Sequence, residues 1–105
     1  MIAVNILYPS GEGMTFDLDY YIEKHMKTVH TLLEPEGMVS AEVDRGIAGV
    51  QPGAPASFTC IATLRFDSME KFQQAFQKNG EKLVADIVNF TNVGPQIQIS
   101  EVIES

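Results

Sequence analysis

Basic residues are scarce in this chain. Seven lysines and arginines stand against fourteen aspartates and glutamates, for a formal net charge of −7. A surface of that sign repels phosphate backbones, which argues against nucleic acid and anionic membranes as partners. Cysteine is almost absent, and the lone Cys60 cannot form an internal bridge, so a reducing, cytoplasmic setting is expected. Nothing approaches the roughly 20 consecutive apolar residues of a membrane span. Met1 to Asn5 enter an apolar run with no basic leader or cleavage pattern, so no secretion signal is expected. Asn89-Phe90-Thr91 matches the glycosylation pattern, which carries no meaning in a cytoplasmic protein. No Rossmann fingerprint, P-loop or cluster of metal ligands occurs, so no motif calls for a nucleotide, flavin or metal, and no cofactor is expected.

What remains is an ordinary globular composition, 45% hydrophobic and 20% charged over 105 residues, which suits one compact domain spanning residues 1–105. Residues 2–8, IAVNILY, form an apolar run closed by Pro9, Gly11 and Gly13, the pattern of a central strand. Beyond it, Leu18, Ile22, Met26, Val29 and Leu33 recur at helical steps. Asp17 is placed to cap that helix, with Phe16 and Tyr21 as a hydrophobic staple, and Pro35 ends it. Residues 38–47 alternate weakly, as a peripheral strand would, and residues 58–66 alternate cleanly, with Phe58, Cys60, Ala62, Leu64 and Phe66 on one face. Asp67, with Glu70 three residues on, reads as the cap of a second helix bearing Met69, Phe72, Phe76, Leu83 and Ile87. Gly80 falls on its inner face, which suggests close approach to the sheet, or a break into two short helices. After Pro95 comes a last strand with Ile97, Ile99 and Ile103.

Strand, helix, strand, strand, helix, strand predicts an α+β, ferredoxin-like βαββαβ fold: a four-stranded antiparallel sheet with both helices on one face. The other face would carry Ala3, Leu7 and Ile61 among Asn5, Thr59, Thr63 and Arg65, too apolar for water and too polar for a core. A second copy laying its own sheet there would solve this, so a homodimer is expected.

With Ile22 at the centre of the first helix's stripe, His25 lies about 60° and Tyr21 about 100° to the same side, an i, i+4 pair. Tyr8 points the same way from the end of the first strand. Three polar tips in an apolar chamber suit a small-molecule site: imidazole exchanges protons near neutral pH and a phenol can hold a substrate oxygen. Equally, a histidine beside an apolar stripe is commonly a packed residue bonded to backbone, and both tyrosines suit a boundary. His30 lies on the opposite flank, too far to share a metal with His25, and reads as a solvated edge. Cys60 has no electropositive neighbour and reads as an inert core thiol.

NILYPSGEGMTFDLDYYIEKHM, FDSMEKFQQAF and ADIVNFTNVGPQIQISEV together resemble the EthD family along essentially the whole chain. The family is named for a protein required in bacterial degradation of ethyl tert-butyl ether. The resemblance implies a dimeric α+β barrel, in which ferredoxin-like protomers face each other through their sheets. Its recognisable core is the YYxxxH pattern, here Tyr20, Tyr21 and His25, which implies a pocket at His25. Where many members have proline after HM this chain has Lys27, so a straighter helix is expected. Members are often labelled reductases, although no redox motif is present. Related barrels include cofactor-free monooxygenases, isomerases, cyclases and haem-binding proteins. The leading expectation is a cofactor-free catabolic enzyme, an oxidoreductase or isomerase, acting on a small apolar oxygenated molecule. In that scheme His25 shuttles a proton while Tyr8 and Tyr21 hold a carbonyl or enolate. The alternatives are an accessory protein that binds a metabolite without changing it, and haem binding through His25.

Overall fold

The computed structural model describes residues 1–105 and builds one sheet from four strands, β1 (Ile2–Pro9), β2 (Met38–Arg45), β3 (Phe58–Phe66) and β4 (Gln96–Glu101). Their order is β2-β3-β1-β4 with every neighbouring pair antiparallel, the ferredoxin-like arrangement. The register sets Val4 against Leu64 and Tyr8 against Cys60, so the apolar sides of β1 and β3 share one face. Cys60, Ala62, Leu64 and Phe66 are all buried there, and each large apolar side chain removed from water contributes roughly 1.5–3 kcal/mol. No helix is long and apolar enough to cross a membrane.

Asp17 caps the first helix, accepting from the Tyr20 amide at 3.0 Å, and Phe16 meets Tyr21 at 5.2 Å between ring centroids, the expected staple. The helix is not regular, however. A single α turn, α1 (Leu18–Tyr20), widens into a π turn (Tyr21–His25), and only then does α2 (Met26–Leu33) follow. The π turn closes with the Met26 amide donating to the Tyr21 carbonyl five residues back. Such a turn holds one residue more than an α turn, which rotates everything N-terminal of it by about 100°. Tyr21 therefore occupies the inward position that unbroken periodicity gives to Ile22. Tyr21 is 1% exposed and Ile22 48%, which corrects the expected stripe at Ile22, while Met26, Val29 and Leu33 are buried as expected. Leu33 ends α2, and a 3₁₀ turn (Glu34–Glu36) containing Pro35 leads to Gly37, whose φ of +107° closes the turn at no Cβ penalty.

The second helix, α3 (Met69–Ala85), runs unbroken through Gly80. Its cap is Ser68, which accepts from the Lys71 amide, while the expected cap Asp67 pairs with the Lys71 ammonium instead. The buried residues of α3 are Ala75, Asn79, Gly80 and Leu83, and Met69 and Phe76 lie nearer the surface than the stripe suggested. A methyl group at Gly80 would meet the Phe76 ring of its own helix at 2.7 Å. The middle of α3 is tied to the end of α2 and the turn after it, by the Asn79 amide donating to the Leu32 carbonyl (3.4 Å) and by Lys78–Glu36 (2.6 Å). Beyond α3, a 3₁₀ turn (Ile87–Asn89) brings Phe90 and Thr91 back to the start of α1, where the Asp17 amide donates to the Phe90 carbonyl at 2.7 Å. That return places Asp86 beside the π turn.

Candidate functional site

Five aromatic side chains, Tyr8, Phe16, Tyr21, Phe90 and the His25 imidazole, pack where the π turn crosses the end of β1. The His25 ring stacks on Tyr21 at 5.2 Å and 19°, and Phe90 lies against the edge of that stack, 4.7 Å from His25 and 4.9 Å from Tyr21. Its Nδ1 lies 2.8 Å from Asp86 Oδ2. The other Asp86 oxygen accepts from the Tyr20 hydroxyl at 2.6 Å and the Asn89 amide at 2.9 Å. Partial burial pushes the Asp86 carboxyl upward, but the hydrogen bonds from Tyr20, Asn89 and His25 outweigh it and hold the group below its ordinary value of 3.8. Tyr20 shifts the other way: its bond to Asp86 holds the phenol above its usual 10.0. Asp86 is therefore a carboxylate near neutral pH, an acceptor only, and the bond to His25 puts the ring proton on Nδ1. His25 Nε2 has no hydrogen-bond partner.

The linkage has a definite sign. A carboxyl lowered by folding contributes stability above 3.8 that is lost as pH falls through its own, lower value. Acid unfolding followed by circular dichroism should show that loss below pH 3.8 for the native protein, and a smaller one for Asp86→Asn.

Beside this cluster, between the sheet and the helices, runs a cavity of about 120 Å³. One end is made by His25, Tyr8 and Ile87, and the other by Leu33, Val4 and Phe76, with Val29, Leu64, Leu83 and Ile97 among the walls between. Eleven of the thirteen lining residues are hydrophobic and none carries a permanent charge, so the imidazole is the main polar feature. Ile97, on the edge strand β4, is 52% exposed, as is Val84 on α3.

His25 and Tyr8 thus line one end of the same cavity. Tyr21 does not join the lining, and it stands behind His25 with its ring face to face. Burial, partly opposed by the neighbouring Tyr21 hydroxyl, pushes the Tyr8 phenol up to about 12, and burial raises Tyr21 as well. Both remain protonated donors at neutral pH. Cys60 is fully buried, and that burial, aided by the Asp44 carboxylate, moves its thiol up to about 11, as suits an unreactive core residue. His30 pairs with Glu34 at 3.3 Å on the exposed side of α2. No three His, Cys, Asp or Glu side chains gather closely enough to hold a metal.

Asp86 and Asn89 are not singled out as site residues by the sequence, and Tyr20 enters only through the YYxxxH pattern, with no role of its own. Asp86 follows the last residue of α3, and its distance of 61 positions from His25 hides the contact from any local pattern.

The EthD domain matches residues 11–94. Among solved structures, an EthD-like protein from Ralstonia eutropha JMP134 is 38% identical, covers 99% of this chain and 93% of its own, and superposes with a TM-score of 0.93. An ethyl tert-butyl ether D family protein from Bacillus halodurans C-125 is 23% identical over 96% of this chain and 97% of its own, with a TM-score of 0.73. A dimeric ferredoxin-like protein from an uncultured marine organism shares the fold at 12% identity, covering 100% of this chain and 97% of its own, with a TM-score of 0.55. No curated protein matches.

Proposed function

The chain belongs to the EthD family, and we propose that it is a cofactor-independent enzyme that moves a proton on a small, uncharged, mostly hydrocarbon molecule bearing a carbonyl. One observation carries this reading: Asp86 occupies His25 Nδ1 at 2.8 Å and leaves Nε2 unpartnered on a ring that lines an apolar cavity. A base held by one nitrogen and open at the other is the arrangement general base catalysis requires. With a ketone in the cavity, Nε2 takes a proton from the carbon next to the carbonyl. The C–H electron pair moves into the new C=C bond and the carbonyl pair onto oxygen, forming an enolate. The Tyr8 hydroxyl, kept protonated by burial, donates to that oxygen. Return of the proton to the same carbon, or to another one conjugated with it, gives exchange or isomerisation. Tyr21 serves as the stacking platform that holds the imidazole, not as a ligand contact. The apolar walls favour a neutral molecule, since no lysine or arginine is present to pair with a carboxylate.

At about 120 Å³ the cavity falls below the 300–1,000 Å³ typical of drug-sized ligands, and a haem does not fit it. The residues present thus do not favour haem ligation by His25.

Incubation with cyclohexanone and other small ketones in heavy water tests the proposal. Deuterium should enter next to the carbonyl with the native protein and not with His25→Ala. Equal exchange by the two overturns it, and ligand-dependent stabilisation with no exchange would instead favour an accessory binding protein.

We also propose that a second copy covers the open sheet face. That face carries Ala3, Leu7 and Ile61 with no element of the chain over it, and the buried Arg65 Nε there has no acceptor. Arg65 shares that face with the acidic Glu42 and Asp44 of the neighbouring strand, a pattern that a two-fold partner can satisfy reciprocally. Light scattering should give twice the 11.6 kDa chain mass for the native protein and the single mass for Leu7→Glu. A native monomer contradicts the pairing.

A further inference from the structure

The cavity has a direction. His25 and Leu33 are eight residues apart along the first helix, a rise of about 12 Å, and Tyr8 and Val4 are about 13 Å apart along β1. The two elements run oppositely here, so Tyr8 stands at the His25 end and Val4 at the Leu33 end. On α3 the order is set by Asn79 on the Leu32 carbonyl at one end and by Asp86 on His25 at the other. Phe76 therefore closes the end of the cavity farthest from the imidazole.

What seats that ring is unusual. Gly80 lies in the middle of a seventeen-residue helix, where glycine is about 1 kcal/mol worse than alanine. Its φ is ordinary, so backbone conformation does not call for it. A Cβ at Gly80 would instead sit 2.7 Å from Cδ2 and Cε2 of Phe76, closer than real Cβ contacts come. The missing methyl group is the space in which the ring lies. Phe72 holds the other flank at 5.5 Å, and Phe76 is still 37% exposed, so the ring is an end wall at the surface and not a core plug.

From this we infer that Phe76, seated against Gly80, is the specificity-determining residue that sets how long a ligand the cavity admits. The inference rests on the proposed reading of the cavity as a site whose ligand places its carbonyl at the His25 end, with the oxygen on the Tyr8 hydroxyl. The remainder of such a ligand runs toward Phe76, and each further methylene it buries tightens binding about fourfold until the ring is reached.

Calorimetric titration with butanone, methyl hexyl ketone and methyl decyl ketone tests it. The native protein should bind the hexyl ketone more tightly than the decyl ketone. Phe76→Ala should reverse that order, binding the decyl ketone about tenfold or more tightly than the native protein does, and leave butanone unchanged. Phe76→Leu, which keeps an apolar wall, should shift the preference the same way by less. Gly80→Ala should displace the ring and alter the length preference, while the double variant behaves as Phe76→Ala alone because no ring remains to displace. An unchanged length preference in Phe76→Ala and Phe76→Leu, or additive effects in the double variant, overturns the inference. Tyr8→Phe separates this from the reading beneath it, since loss of the hydroxyl that holds the oxygen should weaken all three ketones alike without changing their order. Unaltered affinities in Tyr8→Phe sink the orientation of the ligand while leaving Phe76 as the wall, and no binding by the native protein overturns both.

Discussion

Asp86→Asn slows deuterium exchange nearly as much as His25→Ala does, by roughly 10²–10⁴-fold, the range for loss of a general base. The reason is tautomeric. The Asp86 carboxylate can only accept, so it holds the His25 proton on Nδ1 and leaves a lone pair on Nε2. An amide in its place can donate to Nδ1, which moves the proton to Nε2, the atom that has to receive the substrate's proton. Asp86 is thus a positioning residue that touches no ligand, and its loss must be told apart from simple disruption. The melting temperature of Asp86→Asn near neutral pH should fall only by the modest stability that the lowered carboxyl contributes, leaving the protein folded, and ketone affinity should fall far less than exchange. A variant that binds and folds normally yet exchanges at the native rate would refute the role given to Asp86.

The second large effect concerns the π turn. Tyr21→Ala should destabilise the protein by about 3–5 kcal/mol, the range for deleting a buried aromatic ring. Ile22→Ala should cost about 1 kcal/mol or less, since nearly half of that side chain is already in water. Regular helix periodicity gives the opposite order, because it places Ile22 at the centre of the apolar stripe. Urea unfolding with equal slopes for the two variants would give the comparison directly. A larger loss for Ile22→Ala than for Tyr21→Ala would show that the helix is not widened at residues 21–25.

These two cases mark where local pattern stops carrying information. The β3 strand was legible to the residue, because strict alternation over nine positions has one register that buries Cys60, Ala62, Leu64 and Phe66 together. The sheet order followed from chirality and element order alone. Asp17 was legible as a cap because capping is local. Ser68 was misplaced by one residue because Asp67 satisfies the same local rule and only the folded backbone chooses between them. A π turn has no comparable signature: adding one residue to a turn changes which side chains face inward without changing the composition. Tyr8 and His25 could be placed near one another, as both lay close to the boundary of the apolar face. Asp86 could not, because its contact with His25 is made by the return of the chain after α3, and sequence spacing says nothing about that distance. Phe76 was readable as apolar and Gly80 as odd, but only the coordinates join the two.

The position of one proton tests the central claim most directly. Nitrogen-15 correlation spectra of the His25 ring near neutral pH distinguish a protonated from an unprotonated nitrogen. The expected result for the neutral ring is a proton on Nδ1, bonded to Asp86, and a bare Nε2 whose signal moves when a ketone is added. A proton on Nε2, or an Nε2 signal indifferent to every ketone that binds, would contradict the assignment of His25 as the base.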